Sequence, residues 1–552
     1  MKSNRIVAIA YWALLIDVAL VGVAAIAVRT SQGLRVTNLT GLVPWGLWVA
    51  FYIYFIGLSA GSFLISTLIY VFGIKRFEPV GRLAIFVAFI AMLTGLLFIL
   101  LDLGHMERFW TVFFRRNSRS ILEWEIHFYN LYIVILLSEL WLLMRRDLIR
   151  RGQGQGLKAS LCRLLALGST DLSEASATQD MRAVRLLGML GVPVALGVHG
   201  GTGAIFAVVK ARPYWYTGLF PLLFIVSALA SGGALLTFLY AFFGRRDEHH
   251  SDLVIRLGRL VAGFLALDLV FLASEMLVGL YGAVPDHLAT YRAILTGPFW
   301  YVFWIGQLGL GAIVPLVLIL SPYTRTSVGW VGVAGALIVV GMLGVRLNIV
   351  IPPLTVPLIP GIESAYSLGR FSTFDFTGLA RTLFALAIVV FVIASGWIIA
   401  YLTHLPRLAV ERWLARAAGL AVAAGFVFMG LRFLDVGIAP EVVALSGAPA
   451  RLPLFFGGSL RAQDPTFYSP SPIEWLSSMG LVALAVMAFT AGKLLLPLEA
   501  EPEPSPQPRR FPSGERRGGD RTMRFWVIAI AVVIPLAMLL SLLLPLFAGP
   551  AE

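Results

Sequence analysis

Apolar stretches of about 20 residues, separated by short polar segments, recur along almost the whole of this chain. A helix of that length rises about 30 Å, the thickness of a bilayer's hydrocarbon layer. The runs lie near residues 6–28, 43–73, 82–103, 126–144, 183–209, 217–243, 254–282, 300–320, 329–350, 379–402, 412–431, 475–496 and 525–547. They predict an all-α, polytopic membrane protein of about 13 transmembrane helices. The first run follows the basic residues Lys2 and Arg5 and contains the small residues Ala24, Ala25 and Ala27. It is longer than the core of a cleaved signal and is read as a retained helix.

Three polar connections are long: 145–182, 432–474 and 498–523. The stretch from Glu499 to Gly519, rich in Pro and charge, reads as a flexible linker to a final helix. A weak repeat appears when IGLSAGSFLISTLIYVFGIKR of the second run is laid on VSALASGGALLTFLYAFFGRR of the sixth. Gly61 then matches Gly232, Leu64 matches Leu235, Leu68 matches Leu239 and Gly73 matches Gly244. The match predicts two parallel four-helix bundles, spans 2–5 and 6–9, related by an axis along the membrane normal, with peripheral helices around them. Small residues also permit close packing in any membrane bundle, which leaves a second explanation open. The expected division is 1–42 for an N-terminal helix and outer loop, 43–209 and 210–350 for the bundles, 351–497 for inserted and terminal helices, and 498–552 for a linker and extra helix.

Composition agrees: 59% of residues are apolar, 13% are charged and the mean hydropathy is +0.85. A water-soluble core of this size could not bury so much apolar surface. The formal charge of +13 would suit nucleic acid if it were spread over one face. Instead Arg145, Arg146, Arg150 and Arg151, then Arg245 and Arg246, then Arg509 to Arg524, fall on alternate connections. That positive-inside pattern expects a bacterial inner (plasma) membrane, the N-terminus cytoplasmic and the C-terminus outside, with the lipid bilayer and no nucleic acid as partner. Cys162 is the sole cysteine, whereas an iron-sulfur cluster takes about four thiolates. The protein is expected to hold no cluster of its own.

An ionisable group in hydrocarbon costs about 2.5–3.5 kcal/mol on insertion scales. Asp17, Glu139, His199, Asp268, Glu275 and Arg346 lie within or near the ends of spans. Asp268 and Glu275, seven residues apart, share a helix face about 10 Å apart. With Asp17 and Glu139 they are candidate steps of a proton path, or else internally paired structural groups.

The densest signal is LLDLGHMERFWTVFFRRNSRSILEWEIHFYNLY, which joins spans 3 and 4 on the outer side. Asp102, His105, Arg108, His127 and Tyr129 supply what quinone chemistry needs: donors to carbonyl oxygens, proton-exchanging groups and aromatic walls. Trp110 and Trp124 suit interfacial anchoring. His199, in GVPVALGVHGGTGAIF, is expected about 15 Å deep, beneath the ring, with Gly200, Gly201 and Gly203 leaving space. His127 and His199 lie at unmatched depths, so bis-histidine haem is not expected. Walker A, zinc-ligand and nucleophile-elbow patterns are absent, which leaves hydrolysis unsupported.

WGLWVAFYIYFIGLSAG from Trp45, DLGHMERFW from Asp102, SILEWEIHFY from Ser120 and ARPYWYTGLFPLLFIVSALASG from Ala211 together resemble the NrfD-like polysulfide reductase membrane subunits. That family is also represented in alternative complex III and related respiratory complexes. VRLNIVI, with Arg346 and Asn348, and YSPSPIEW from Tyr468 extend the resemblance, which covers about 43–350 and 466–497. Two inserted spans and the extra C-terminal helix depart from the family's usual helix count. The resemblance implies a subunit without its own redox centre, passing electrons between menaquinone or ubiquinone as substrate and an iron-sulfur protein, with a molybdopterin or haem subunit beyond. Motif-rich loops on the outer side would receive that partner, and Arg212 and Trp215 are expected to begin a docking face. A secondary transporter would also carry parallel repeats and buried acids, and a purely structural anchor would carry no quinone pocket.

Overall fold

A computed structural model of the protein describes residues 2–359, 468 and 470–498, with a few positions between 386 and 394. The described residues form twelve α-helices: α1 (Lys2–Gln32), α2 (Leu47–Tyr70), α3 (Glu78–Asp102), α4 (Ile121–Gly152), α5 (Leu157–Leu165), α6 (Glu174–Ala207), α7 (Phe220–Phe243), α8 (His250–Gly282), α9 (Pro285–Leu295), α10 (Val314–Leu320), α11 (Val328–Thr355) and α12 (Pro472–Leu495). A π-helix, Val302–Ile313, runs directly into α10. Ten helical segments among the described residues are long and apolar enough to cross a membrane. The protein is a multi-pass integral membrane protein of all-α architecture, and no β-strand occurs among the described residues. The runs expected near 379–402 (apart from scattered positions), 412–431 and 525–547, and the linker before the last of them, lie outside the described residues.

Apolar run length fixed the expected ends, but the helices continue past it. The fourth reaches Gly152 rather than residue 144, and α6 begins at Glu174 rather than 183. Beyond the hydrocarbon a helix still satisfies its own backbone hydrogen bonds, so loss of hydropathy does not end it. The expected polar connection 145–182 is therefore largely helical, with α5 inserted against α4. Likewise α9 occupies part of the loop expected over 283–299.

Two sets of four helices form the body. In the first, α2 packs on α3 and α4 packs on α6; in the second, α7 packs on α8 and α11 packs on the π-helix. They meet where α2 crosses α7. A Cβ placed on Gly61 would lie 1.8 Å from the Ala228 carbonyl oxygen, and one on Gly232 would lie 2.3 Å from the Ser62 backbone nitrogen. The two glycines matched in the repeat thus face each other across the seam. Peripheral α1 rests on α12 through a similar approach of Gly22 to Gly480.

Polar ties set the ends, called here the Asp102 end and the Arg145 end. Fully buried Arg145 donates to Asp180 (2.7 and 2.9 Å), Ser169 (2.7 Å) and the Asp171 carbonyl (3.0 Å), locking α4 to α6. At the opposite end, Ser471 and Glu474 form a capping box on α12, and the Glu474 carboxylate also accepts from the Asn38 N–H at 3.1 Å. Tyr468 donates to Glu474 while its hydroxyl oxygen accepts from the Leu47 N–H at 2.9 Å, fastening the start of α2.

Gly61→Leu should collapse the seam, because the opposing atoms are backbone and cannot swing away. We expect destabilisation above the roughly 1–3 kcal/mol of ordinary overpacking, read as a lower thermal midpoint of the detergent-solubilised protein. Tyr468→Phe should cost about 1–3 kcal/mol by leaving the buried Leu47 N–H unpaired, with the same measurement as the check.

Candidate functional site

Two buried polar centres lie in the half of the bundle nearest the Asp102 end. The first is built on α4, where Glu125 and Tyr129, four residues apart, present one face toward α2 and α6. Tyr52 of α2 donates to the Glu125 carboxylate at 3.0 Å and shares a hydrogen bond with the Tyr129 hydroxyl. Thr202 of α6 donates to the other Glu125 oxygen and lies 3.4 Å from the Tyr129 hydroxyl. Glu125 therefore has three hydroxyl neighbours, and none of the ion pairs formed among the described residues includes it. Such a group can hold and pass a proton through short hydroxyl contacts. One helical turn deeper on the same face, Tyr132 donates to the Ser59 carbonyl at 3.0 Å.

His127 lies two positions from Glu125 on α4. Its Nδ1–H donates to the Glu123 carbonyl at 2.8 Å, so neutral imidazole leaves Nε2 as an acceptor, and that atom is buried without a partner. Phe113 packs edge-on to the ring at 6.4 Å.

The second centre bridges the two bundles. Arg346 of α11 is buried and donates to His199 Nε2 of α6 at 3.2 Å and to the Ser227 hydroxyl of α7 at 2.5 Å. Its guanidinium lies 4.7 Å from the Phe224 ring centroid, a cation–π contact strengthened by desolvation. On α2, Gly57 makes the room: a Cβ there would stand 3.0 Å from the His199 ring and 3.4 Å from Arg346. Arg346 also lines a cavity with Asp268, Glu275, Gln307 and Asn348, walled by Phe224, Tyr291 and Phe303. Asn348 donates to Gln307 at 2.8 Å.

The remaining residues singled out in the sequence are dispersed. His105 and Arg108 lie at and on a short 3-10 helix beyond α3, with side chains about two-thirds exposed, and contact Glu107 rather than joining His127 and Tyr129. Asp102 ends α3 with a buried, unpartnered Oδ1, close to Arg29, which donates to the Leu101 and Leu103 carbonyls at 3.0 and 2.6 Å. The four acids do not form one chain. Asp17 is half-buried on peripheral α1, Glu139 is buried in the first bundle beside Gly188 with its Oε1 unpartnered, and Asp268 and Glu275 face the cavity of the second.

The structure places Trp215 inside rather than on a docking face: 2% exposed, stacked on Trp45 and donating to the Ile349 carbonyl at 2.7 Å. Arg212 donates to the Pro353 and Val356 carbonyls at 2.8 and 2.5 Å. Both tie the 208–219 connection to the end of α11, while neighbouring Tyr216 is exposed. Interfacial residue types looked alike in sequence, and only the carbonyls at the end of α11 distinguish these two as internal ties.

The sequence matches the family described as polysulphide reductase, NrfD, over residues 35–357, more than half of its length. The chain belongs to the NrfD family. It is 44% identical over 366 residues to a selenate reductase subunit of Mesobacillus selenatarsenatis, covering 65% of this chain and 85% of that protein. An Hdr-like menaquinol oxidoreductase integral membrane subunit of Archaeoglobus fulgidus is 32% identical over 366 residues, covering 64% of this chain and 83% of that one. A polysulfide reductase protein of Wolinella succinogenes is 26% identical over 322 residues, 56% of this chain and 93% of its own. Both polar centres of this NrfD-family protein fall within the matched segment. It is a membrane subunit of a respiratory oxidoreductase, and those relatives are named as subunits of selenate reductase, menaquinol oxidoreductase and polysulfide reductase.

Sequence reasoning did not pick out Tyr52, Thr202, Ser227 or Gln307 as site residues. Tyr52 stands in the family-like WVAFYIYF segment, and Glu125, which was not chosen as a site residue either, lies four residues from Tyr129 on the face that Tyr52 meets. Thr202 and Ser227 are small hydroxyl residues of apolar spans and gave no signal alone.

Arg346→Gln should break the bridge between bundles, leaving His199 and Ser227 without their cation. Leaving buried hydrogen-bonding partners unsatisfied costs about 1–3 kcal/mol, and Arg346→Lys should recover only part because it lacks the planar fork. Thermal midpoints of the three proteins side by side provide the measurement.

Proposed function

We propose that this protein exchanges electrons between the membrane quinone pool and an iron-sulfur subunit docked at the Asp102 end. The observation that carries the reading is the ring of Tyr52, Tyr129 and Thr202 around buried Glu125, two positions along α4 from His127 with its unpartnered Nε2. Quinol oxidation releases two protons with two electrons, and a buried carboxyl in a hydroxyl network is suited to receive a proton. The name of the Archaeoglobus relative, a menaquinol oxidoreductase subunit, supports menaquinone as the quinone.

Exposed Phe109, Trp110, Phe114 and Tyr216, with His105 and Arg108 among them, give the Asp102 end an aromatic and basic surface for the partner. The positive-inside distribution supports an Asp102 end that faces out of the cytoplasm of a bacterial plasma membrane. Glu139 lies farther along α4 toward the Arg145 end, about 20 Å from Glu125 by helix rise, and is the proton-uptake candidate of the first bundle. Asp268 and Glu275 are its counterparts at the second-bundle cavity.

Glu125→Gln keeps the shape of the side chain and removes its titration. It should lower quinol-dependent turnover of the assembled complex by about 100-fold, the scale of a lost general acid or base, while assembly persists. Unchanged turnover would remove Glu125 from the chemistry. Glu139→Gln in liposomes should slow proton movement per electron while quinone binding is retained; equal proton-to-electron ratios in variant and parent would leave Glu139 a structural group.

A further inference from the structure

Helix α5, at the Arg145 end, has its large apolar residues on the outside. The side chains it buries are small, Ala159, Cys162 and Ala166, and it packs on α4. The opposite face carries Leu157, Leu161 and Leu164, spaced i, i+4, i+7 along one stripe. Leu157 is 84% exposed, Leu164 is 71% exposed and Leu161 is half-buried. Lys158 and Arg163 are exposed on the two flanks of the stripe, and α5 contains no Asp or Glu. Acids of the same connection are engaged elsewhere, Asp180 with Arg145 and Glu174 with Arg146.

Two ties fix where the stripe lies. Trp141 of α4 donates to the Leu165 carbonyl at 2.9 Å, and a Cβ on Gly152 would stand 2.9 Å from Arg163 Cγ. Trp141 and Gly152 are about three helical turns apart and so share one face of α4. Leu137, one turn before Trp141 on that face, is 46% exposed within the membrane-spanning helix. Helix α5 therefore lies on the prolongation of a lipid-facing surface, with its C-terminal end at the height of Trp141. The chain stays near that height through Ser169, whose hydroxyl accepts from Arg145 at 2.7 Å. Between these ties Leu167 sits at φ 53°, a left-handed conformation that glycine usually fills, with its side chain 46% exposed. By helix rise Leu157 stands about 10 Å farther from the hydrocarbon than Leu164, so the stripe crosses the headgroup layer, which adds roughly 5–8 Å to each side of a bilayer. An apolar stripe flanked by cations at that depth is complementary to an anionic membrane surface.

We propose that α5 is an interfacial lipid-binding element. Leu161, Leu164 and Leu167 enter the edge of the bilayer beside α4, and Lys158 and Arg163 hold the phosphate of an anionic phospholipid. The proposal rests on the membrane-spanning fold and is independent of the quinone reading.

The test uses the full chain in nanodiscs of phosphatidylglycerol and phosphatidylcholine. Cys162→Ala removes the sole cysteine, and Leu164→Cys then accepts an environment-sensitive fluorophore. A phospholipid with a nitroxide at the top of its acyl chain should quench that fluorophore, and aqueous iodide should not. Leu157→Cys, quenched most by a headgroup nitroxide, gives the same reading should Leu164→Cys fail to fold. Native mass spectrometry should show the ratio of retained phosphatidylglycerol to phosphatidylcholine falling about fivefold for each of Lys158→Gln and Arg163→Gln. Quenching by iodide but not by lipid would put the stripe in water and overturn the proposal. Protection from both would assign it to a second copy of this chain, and lipid quenching lost when partner subunits assemble would assign it to a partner; either result overturns the proposal. An unchanged lipid ratio in the double variant would overturn the anionic headgroup site.

Discussion

The crossing of α2 over α7 is the contact on which the interior depends. Lipid tails are as apolar as Leu side chains, so transmembrane helices gain little from hiding apolar surface and associate through close packing and interhelical hydrogen bonds. Gly61 and Gly232 let two backbones touch at the seam, and Gly57, one turn away on the same face of α2, leaves the volume that His199 and Arg346 occupy. A side chain at Gly61 or Gly232 would force the two backbones apart, and one at Gly57 would press on the His199 ring that accepts from Arg346. The placement of a buried cation midway between two bundles is thus a consequence of absent side chains.

Around that seam the two halves treat polarity differently. The first bundle satisfies the Glu125 carboxyl with hydroxyl groups from three helices and leaves one imidazole nitrogen open near the end. The second gathers a cation, two carboxyls and two amides around space, with donor and acceptor capacity left unused. Buried unpaired groups are costly in a dry interior, so enclosed pairing around Glu125 and open capacity around Arg346 mark a difference in what each bundle is shaped to receive.

Much of the architecture was legible in the sequence because hydrocarbon imposes a length on every apolar run, and because a repeat must keep small residues where its halves meet. Gly61 and Gly232 carried that signal. Helix ends were less legible: Glu174 and Gly152 lie in polar sequence where hydropathy no longer discriminates. The site was legible in part. His127, Tyr129 and His199 announced themselves as polar groups in apolar surroundings, but the contacts of Tyr129 with Tyr52 and Thr202, and of Arg346 with His199 and Ser227, span 73 to 147 positions, and no local pattern encodes such pairings. Arg212 and Trp215 misled for the opposite reason, since residues usual at a membrane surface here tie a helix end from within.

The fastening of α12 has a further consequence. Helix α11 finishes at the same end of the bundle where Tyr468 meets the start of α2, so these two points of the chain lie at one pole. The entropy of closing such an excursion rises only with the logarithm of its length, about 0.6 kcal/mol per doubling. With the Tyr468–Glu474 clasp holding one of these points, a longer connection between α11 and α12 adds little to the entropy of closure.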